Sequence, residues 1–323
     1  MGSVSFPLVT TFAKEASATC DPALRRRMAT MERRLLRGDF KGFEAFYETV
    51  SMDSRCYLVV ARLTMQGAIG SGNTALFSRV LDDVRAYPRR CGLPLAQLAV
   101  DITEVWLRQF LDVPDGYPDW LLDGSMRGVP AEWRLMTCYL MVKMFLVRRE
   151  YVKAQATAQV ALYLVPERML SPASSMYLKF VLALSMQGQG RVEESLPLFR
   201  EAVKGAAEQR AALPFLDLAM GTKSALYTAL KEEAPELLRK VRSLSPDFFR
   251  NKVRFHNLFT GGQFTELLSP REFFVASSLR HGLRYKEIAD RLGVEVSGVN
   301  GITKSIYSKL GVHGFAELGG KVW

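Results

Sequence analysis

The chain has 323 residues, of which 48% are hydrophobic and 24% are charged. This composition is typical of a globular protein with a sizeable core, and the length predicts two or three domains. It excludes a wholly disordered chain, a collagen-like repeat and a small disulfide-stabilised protein. Forty-three Lys and Arg against 33 Asp and Glu give a net charge of +10, which favours a polyanionic partner without identifying one.

Two features of the sequence predict a cytoplasmic protein. No stretch approaches the ~20 apolar residues that a transmembrane helix needs, and Met1 to Phe12 lacks the Lys or Arg of a secretory signal. Four cysteines stand too far apart for a metal or redox motif, so we expect reduced thiols. They are Cys20, Cys56, Cys91 and Cys138.

Apolar residues recur at three- and four-residue spacing from about residue 21 to 245, which predicts helices throughout. Clusters of Gly and Pro divide this region into about eight to ten helices, preceded by an N-terminal extension over 1–20. Ser245-Pro246 predicts a helix end, because proline lacks an amide proton and restricts the residue before it. Gly261-Gly262 predicts a joint, so we expect a linker over 246–265.

Helix pairs within this region look alike and recur at intervals of 34 and 41 residues, as in helical repeat proteins. The clearest pair turns at Gly190. Its predicted contact positions are Leu182, Ala183, Ser195, Phe199 and Ala202. This pair resembles a tetratricopeptide repeat, and the whole region resembles the degenerate repeats of bacterial regulator sensor domains. An irregular helical bundle is the alternative.

The C-terminal part of the chain predicts four short helices. The first begins at a capping box made by Ser269 and Glu272, with proline at the first helical position. Phe274 and Leu279 are predicted to lie on its buried face, and Gly282 to end it.

The second and third helices have the pattern of a helix-turn-helix. The second, Tyr285 to Leu292, stops at Gly293, and Ala289 is small enough for the next helix to cross closely. Ser297 is predicted to cap the third helix. The predicted buried face of that helix is Val299, Ile306 and Leu310.

About fifty residues here resemble the LuxR-type DNA-binding domain. The matching landmarks are Leu-Ser-Pro-Arg-Glu at 268–272, Lys-Glu-Ile-Ala at 286–289, Arg-Leu-Gly-Val at 291–294 and Lys-Leu-Gly-Val at 309–312. The resemblance implies a four-helix domain at 266–323, and together with the helical repeats before it predicts an all-α protein with a repeat-like sensor or interaction domain at 21–245. It also implies that the third helix enters the major groove of double-stranded DNA and that the DNA-bound form is a homodimer.

The resemblance also assigns candidate DNA contacts. Outward positions of the third helix are predicted to touch bases and phosphates, and they are Asn300, Gly301, Lys304, Ser305 and Ser308. Positions predicted to meet the phosphate backbone are Lys286, Ser297 and Lys309. Asn suits an adenine edge, and Lys suits guanine or phosphate. The alternative for Asn300 and Lys304 is an ordinary solvated helix surface.

Three positions depart from the family pattern: Gly298, Asn300 and Ile302 stand where such domains usually carry Thr, Lys and His. Gly298 and Gly301 each cost a helix about 1 kcal/mol relative to Ala. Residues 266–323 carry eight basic and six acidic side chains, so few phosphates would be neutralised.

These departures leave two hypotheses. The first is a sequence-specific DNA-binding transcriptional regulator, controlled by a small-molecule effector or protein partner of the helical domain. The second is a protein-interaction adaptor whose helix-turn-helix has lost base readout, which predicts an exposed apolar patch at Ile302.

Catalysis, cofactors and metals are not expected. The three histidines, His256, His281 and His313, lack metal-ligand spacing, and no phosphate-binding loop or nucleophile elbow occurs. Two further groups are interpreted as structural. A solvated helix face is predicted for Arg25, Arg26, Arg27, Arg33, Arg34 and Arg37, and a core role, rather than a pocket lining, for Trp106, Trp120 and Trp133.

Overall fold

The computed structural model describes residues 21–321, apart from 53, 55, 93–94, 114–115, 127, 131–132, 149, 165–171, 219–224, 262–267 and 281–282. The predicted N-terminal extension, Cys20, Gly262, His281 and Gly282 lie outside the described residues.

The described part contains seventeen helices and no strand, so the all-α prediction is confirmed. The first seven helices are α1 (Pro22–Leu36), α2 (Phe43–Tyr47), α3 (Tyr57–Ser71), α4 (Thr74–Cys91), α5 (Ala96–Phe110), α6 (Asp119–Leu122) and α7 (Arg134–Arg148). The next six are α8 (Tyr151–Leu164), α9 (Pro172–Gly188), α10 (Val192–Gln209), α11 (Leu213–Leu218), α12 (Ala225–Glu233) and α13 (Pro235–Thr260). The last four are α14 (Pro270–Arg280), α15 (Tyr285–Leu292), α16 (Val296–Leu310) and α17 (Phe315–Lys321).

The prediction of eight to ten helices before residue 245 is too low, because twelve described helices are complete by Glu233. The short helices α2, α6 and α11 account for the difference, since four to six residues are too few to show a helical period. Tertiary packing stabilises them instead, as α2 shows by burying Phe43, Phe46 and Tyr47.

Neighbouring helices of the N-terminal region pack on one another along the chain, and the series then closes on itself. Helix α13 returns to pack against α3, and α11 packs against α1. The amide of Ala212, just before α11, donates to the carbonyl oxygen of Leu36 at the end of α1 at 2.7 Å. The helices therefore enclose one continuous core rather than leaving an open array.

The helix pair predicted around Gly190 is present as α9 and α10. Gly190 has a φ of +81°, a left-handed conformation that favours glycine at the turn. Ala183 and Ala202 are fully buried where the two helices meet. The Phe199 ring packs edge-on against Phe180 at 5.6 Å between centroids. Small residues at the crossing and one aromatic ring between the helices therefore explain their close packing.

The predicted helix end at Ser245-Pro246 is wrong, because α13 runs through Pro246 to Thr260. Phe248 and Phe255 are almost completely buried just beyond the proline, and this burial outweighs the backbone hydrogen bond that proline removes. Residues 246–260 are therefore helix rather than the expected linker. Gly261, with a φ of +70°, ends α13.

The expected core role holds for two tryptophans. Trp106 is 3% exposed and stacks on Phe110 at 5.0 Å between centroids, and Trp133 is 8% exposed. Trp120 is partly buried against the same core. None of the described helices is both long enough and apolar enough to cross a membrane.

Candidate nucleic-acid interface

Helices α14 to α17 surround a second core, separate from that of the N-terminal region. Helix α14 packs on α16 and α17, and α15 packs on α16. One residue of the long helix α13, Val253, joins this core and is 4% exposed. The second core is therefore attached to the first through α13.

The predicted capping box at the start of α14 is confirmed. The amide of Ser269 donates to Oε2 of Glu272 at 2.7 Å, and the amide of Glu272 donates to Oγ of Ser269 at 3.3 Å. The buried aromatic residue of α14 is Phe273, whereas the predicted Phe274 is only partly buried. Leu279 is buried in the second core, as predicted.

The turn between α15 and α16 has the expected geometry. Gly293 has a φ of +59°, and the amide of Val294 donates to the carbonyl oxygen of Ala289 at 3.0 Å. Ala289 is 2% exposed beside α16, as its small size predicts. The predicted cap is wrong: Glu295 is the N-cap of α16, and Ser297 is its second helical residue.

The outward face of α16 carries five of the candidate DNA contacts. The exposed residues there are Ser297, Asn300, Gly301, Lys304 and Ser308. Ser297, Gly301, Lys304 and Ser308 follow one another at spacings of four, three and four residues, so they form one strip along the helix. Asn300 lies next to Gly301 in this strip. Val299, Ile306 and Leu310 are buried on the opposite side, as predicted. The helix therefore presents a polar strip with one positive charge.

Two other candidate DNA-contact residues of α16 donate hydrogen bonds to the carboxylate of Glu272 on α14. Ser305 Oγ donates to Oε1 of Glu272 at 2.6 Å, and Lys309 Nζ donates to Oε2 at 2.7 Å. Burial alone would raise the pKa of Glu272, but hydrogen bonds from Lys309, Ser305 and Ser269 lower it to about 2. The carboxylate therefore stays ionised and anchors the C-terminal half of α16.

The remaining candidates have mixed electrostatic surroundings. Lys286 is exposed on α15, where Glu287 and Asp290 are also exposed. Among the described residues neither Lys286 nor Lys304 has an ion-pair partner. Ser297 Oγ donates to Oε2 of Glu295 at 3.3 Å, so its hydroxyl lies beside a negative charge.

The apolar patch expected for an adaptor does not form at Ile302, which is partly buried against the second core. The large apolar side chains exposed on the described C-terminal helices are instead Val296 and Phe315. A Cβ on Gly301 would have no neighbour within 4 Å, and one on Gly298 would be in ordinary contact with Val294 at 3.5 Å. Packing within the chain therefore does not require either glycine.

The C-terminal helices dock on α13 through a small junction. His256 of α13 is fully buried, its Nδ1 lies 2.7 Å from the carbonyl oxygen of Leu111, and its ring packs against Phe273 of α14 at 6.0 Å. Beside it Val253 enters the second core. One turn of α13 thus contacts both parts of the protein.

Residues 266–319 match the family model described as bacterial regulatory proteins, luxR family, which covers about one sixth of the chain. No curated protein and no solved structure matches the chain. The matched residues contain the capping box, the Gly293 turn and the exposed strip of α16. The chain therefore carries a LuxR-type helix-turn-helix domain over these residues, which supports a DNA-binding transcriptional regulator in general.

Proposed function

We propose that the protein is a cytoplasmic regulator that reads a specific DNA sequence with α16 and is controlled through its helical N-terminal domain. The observation that carries the proposal is the exposed polar strip of α16, presented over a closed helix-turn-helix core. A major groove admits one such helix, and hydrogen-bonding side chains on its outer face distinguish base pairs.

The proposed roles follow from position along the strip. Asn300 and Lys304 contact base edges in the middle of α16, while Gly301 lets the backbone approach the groove. Ser297 and Ser308, near the two ends, contact phosphates.

The candidates beside the strip have supporting roles in the proposal. Lys286 on α15 meets the phosphate backbone. Lys309 shares its ammonium between Glu272 and a phosphate, and Ser305 positions the helix through the same carboxylate. Catalysis, a metal or a cofactor has no part in this proposal.

Two chains bind together in the proposed complex. A single α16 spans only a few base pairs, and the strip carries one positive charge, so one domain alone neutralises few phosphates. A homodimer places two α16 helices in successive major grooves, about 34 Å apart, and reads a partly palindromic site.

Control has a physical route through α13. Lys252 is 1% exposed, and its Nζ lies 2.9 Å from Oδ2 of Asp112 and 3.9 Å from Oδ1 of Asp217. The next residue, Val253, packs in the helix-turn-helix core. Binding that moves this turn of α13 within the N-terminal domain therefore also moves the helix-turn-helix domain.

The exposed side of α8 favours a protein partner over a small-molecule effector. Val152, Val160 and Tyr163 are 71%, 51% and 88% exposed. Their spacing of eight and three residues places them on one side of the helix. An apolar surface of this kind marks protein interaction more often than an isolated exposed side chain does.

The first experiment is a pull-down of genomic DNA fragments with the purified protein at two salt concentrations. We expect a short, partly palindromic motif that survives the higher salt, because base contacts are less salt-dependent than phosphate contacts. Diffuse enrichment that the higher salt removes would contradict sequence readout and favour the adaptor hypothesis.

Substitutions then test the assigned strip. Asn300→Ala and Lys304→Ala should each weaken binding to the enriched sequence by about 1–3 kcal/mol, with little effect on a scrambled duplex. The matched control is Lys231→Ala, an exposed lysine of α12. Wild-type affinity in both α16 variants would refute base contact by this strip.

A further inference from the structure

Helix α1 carries a strip of arginines far along the sequence from the helix-turn-helix domain. Arg26, Arg33 and Arg37 are exposed and follow at spacings of seven and four residues, which places them in one line along and just beyond α1. Among the described residues none of the three has an acidic partner, whereas their neighbour Arg34 pairs with Asp39 at 2.8 Å. We call Arg26, Arg33 and Arg37 the α1 basic strip.

The one acidic residue within α1, Glu32, does not neutralise this strip. Glu32 is partly buried, and burial raises its pKa to about 7 against the attraction of Arg62 and Arg33. Arg62 is only 2% exposed, so Glu32 is directed toward the interior of the protein. The solvated face predicted for these arginines is therefore present, and Glu32 offsets little of its positive charge.

The stability of α1 accounts for only part of the strip, because Arg33 lies in the last turn, where positive charge is favourable, whereas Arg26 lies near the start. Arg25 ends the first turn of the helix and Arg26 and Arg27 follow it, near the end that carries a partial positive charge, where the acidic residue is Asp21 at the N-cap. Arg33 and Arg37 are four residues apart, a spacing at which like charges repel. The positive charge of Arg26 therefore does not stabilise α1.

The length of the strip fits a nucleic-acid backbone. Arg26 and Arg37 are eleven residues apart, which is about 16 Å along a helix. One strand of B-DNA presents about five phosphates over that distance. The gaps of seven and four residues, about 10 and 6 Å, span about three and two phosphates of one strand, and the guanidinium group binds phosphate through paired hydrogen bonds.

The charge distribution of the chain also favours DNA as the partner. Residues 266–323 have a net charge of +2, so residues 1–265 carry the remaining +8. Within the helix-turn-helix domain, Lys309 is already bound to Glu272. Net positive charge is therefore spread along the chain in proportion to length, and the N-terminal region carries enough of it to bind phosphates that flank the recognised site.

Helix α1 and the helix-turn-helix domain are both attached to α13. Gly38, just after α1, lies so close to Leu244 of α13 that a Cβ added to Gly38 would be 2.5 Å from Cδ1 of Leu244. The Phe40 ring packs against Phe248 at 5.9 Å between centroids. The junction residue His256 lies twelve residues beyond Leu244, which is about 18 Å along the helix. Both surfaces are thus attached to the same helix.

We propose that the α1 basic strip is a second DNA-binding surface, which contacts the phosphate backbone beside the sequence read by α16. This inference rests on the proposed DNA readout by α16. The α1 basic strip would add phosphate contacts to the few that the helix-turn-helix domain itself makes.

The test compares two triple variants of the full chain. Arg26→Gln/Arg33→Gln/Arg37→Gln removes the strip. The control removes the same charge from separate exposed positions of α4, α7 and α12, by Arg89→Gln/Arg148→Gln/Lys231→Gln. Glutamine keeps the helix propensity of arginine, and circular dichroism confirms that both variants fold.

Fluorescence anisotropy then measures Kd on the enriched duplex and on a scrambled duplex, between about 50 and 200 mM salt. Loss of the strip should reduce the slope of log Kd against log salt by about 0.9 per lost contact, or nearly 3 per chain, on both duplexes. The control variant should keep the wild-type slope.

The outcomes separate this inference from the proposed function. An unchanged slope in the strip variant, or an equal fall in the control variant, overturns the α1 surface, and an acidic protein then becomes the candidate partner. A reduced slope in a protein that does not distinguish the two duplexes supports the α1 surface while refuting sequence readout by α16.

Discussion

The carboxylate of Glu272 offers the sharpest test of how α16 is held in place. It accepts hydrogen bonds from Ser305, Lys309 and the amide of Ser269, and its side chain is 9% exposed. Glu272→Gln keeps the size of the side chain and one acceptor oxygen for Ser269, but removes the charge. The variant should therefore loosen α16 without disturbing the start of α14.

The expected loss follows from the pKa of this group. Lowering the pKa from 4.5 to about 2 corresponds to about 3 kcal/mol of preference for the ionised carboxylate in the folded protein. The side chain of Lys309 is 39% exposed, so solvent screens part of this energy, and we expect a net loss of about 2 kcal/mol. Because the folded pKa is lowered, the stabilisation is complete above about pH 4.5 and disappears as the pH falls toward 2.

Hydrogen exchange followed by mass spectrometry measures this loss locally in the full chain. A loss of 2 kcal/mol should speed exchange of α16 amides about 30-fold at neutral pH, while peptides of α3 and α9 stay unchanged. The matched control is Asp290→Asn, which removes an exposed carboxylate of α15 that has no described partner. It should change exchange by no more than about twofold.

Equal exchange in Glu272→Gln and Asp290→Asn would refute the claim that the buried carboxylate anchors α16. The wild-type protein should also lose protection of α16 between about pH 4.5 and 2, and Glu272→Gln should not. Loss of protection over the whole molecule would show that the two cores unfold together.

Two further predictions concern single residues. Gly301→Ala should stabilise α16 by about 1 kcal/mol, because the added Cβ meets no atom within 4 Å, and exchange of its amides should slow about fivefold. The same variant should bind the enriched duplex more weakly if DNA approaches the backbone there. Glu32, whose folded pKa of about 7 exceeds its unfolded value, should make the free energy of unfolding fall as the pH rises from about 4.5 to 7. Denaturant unfolding of Glu32→Gln should lack that slope.

The sequence alone predicts the helix-turn-helix region well, because its landmarks are local. A capping box and left-handed glycines act within a few residues of the helix ends that they specify. The range Tyr285–Leu292 and the turn at Gly293 are therefore both confirmed. The predicted N-cap of α16 is two residues too late. Glu295 and Ser297 can both occupy an N-cap position, and only the backbone conformation of the folded chain shows that Glu295 does.

The long-range features are not encoded in local patterns. Glu272 meets Ser305 and Lys309 across 33 and 37 residues, and no spacing rule predicts such a contact. Pro246 looks like a helix end until the burial of the residues after it is known. Glu32 looks like a surface charge until the buried Arg62 is placed beside it. In each case tertiary packing overrides the local preference.

The junction on α13 joins the two cores through a small contact. The N-terminal core holds Phe248 and Phe255, while the second core takes only Val253 from the same helix, with His256 against Phe273 between them. Burial of one valine and one ring contact contributes a few kcal/mol, far less than either core. Under the proposed control, a partner of the N-terminal domain would need only a small differential affinity to change this contact. The large cores give each domain its structure, and the small contact between them makes their relative position adjustable.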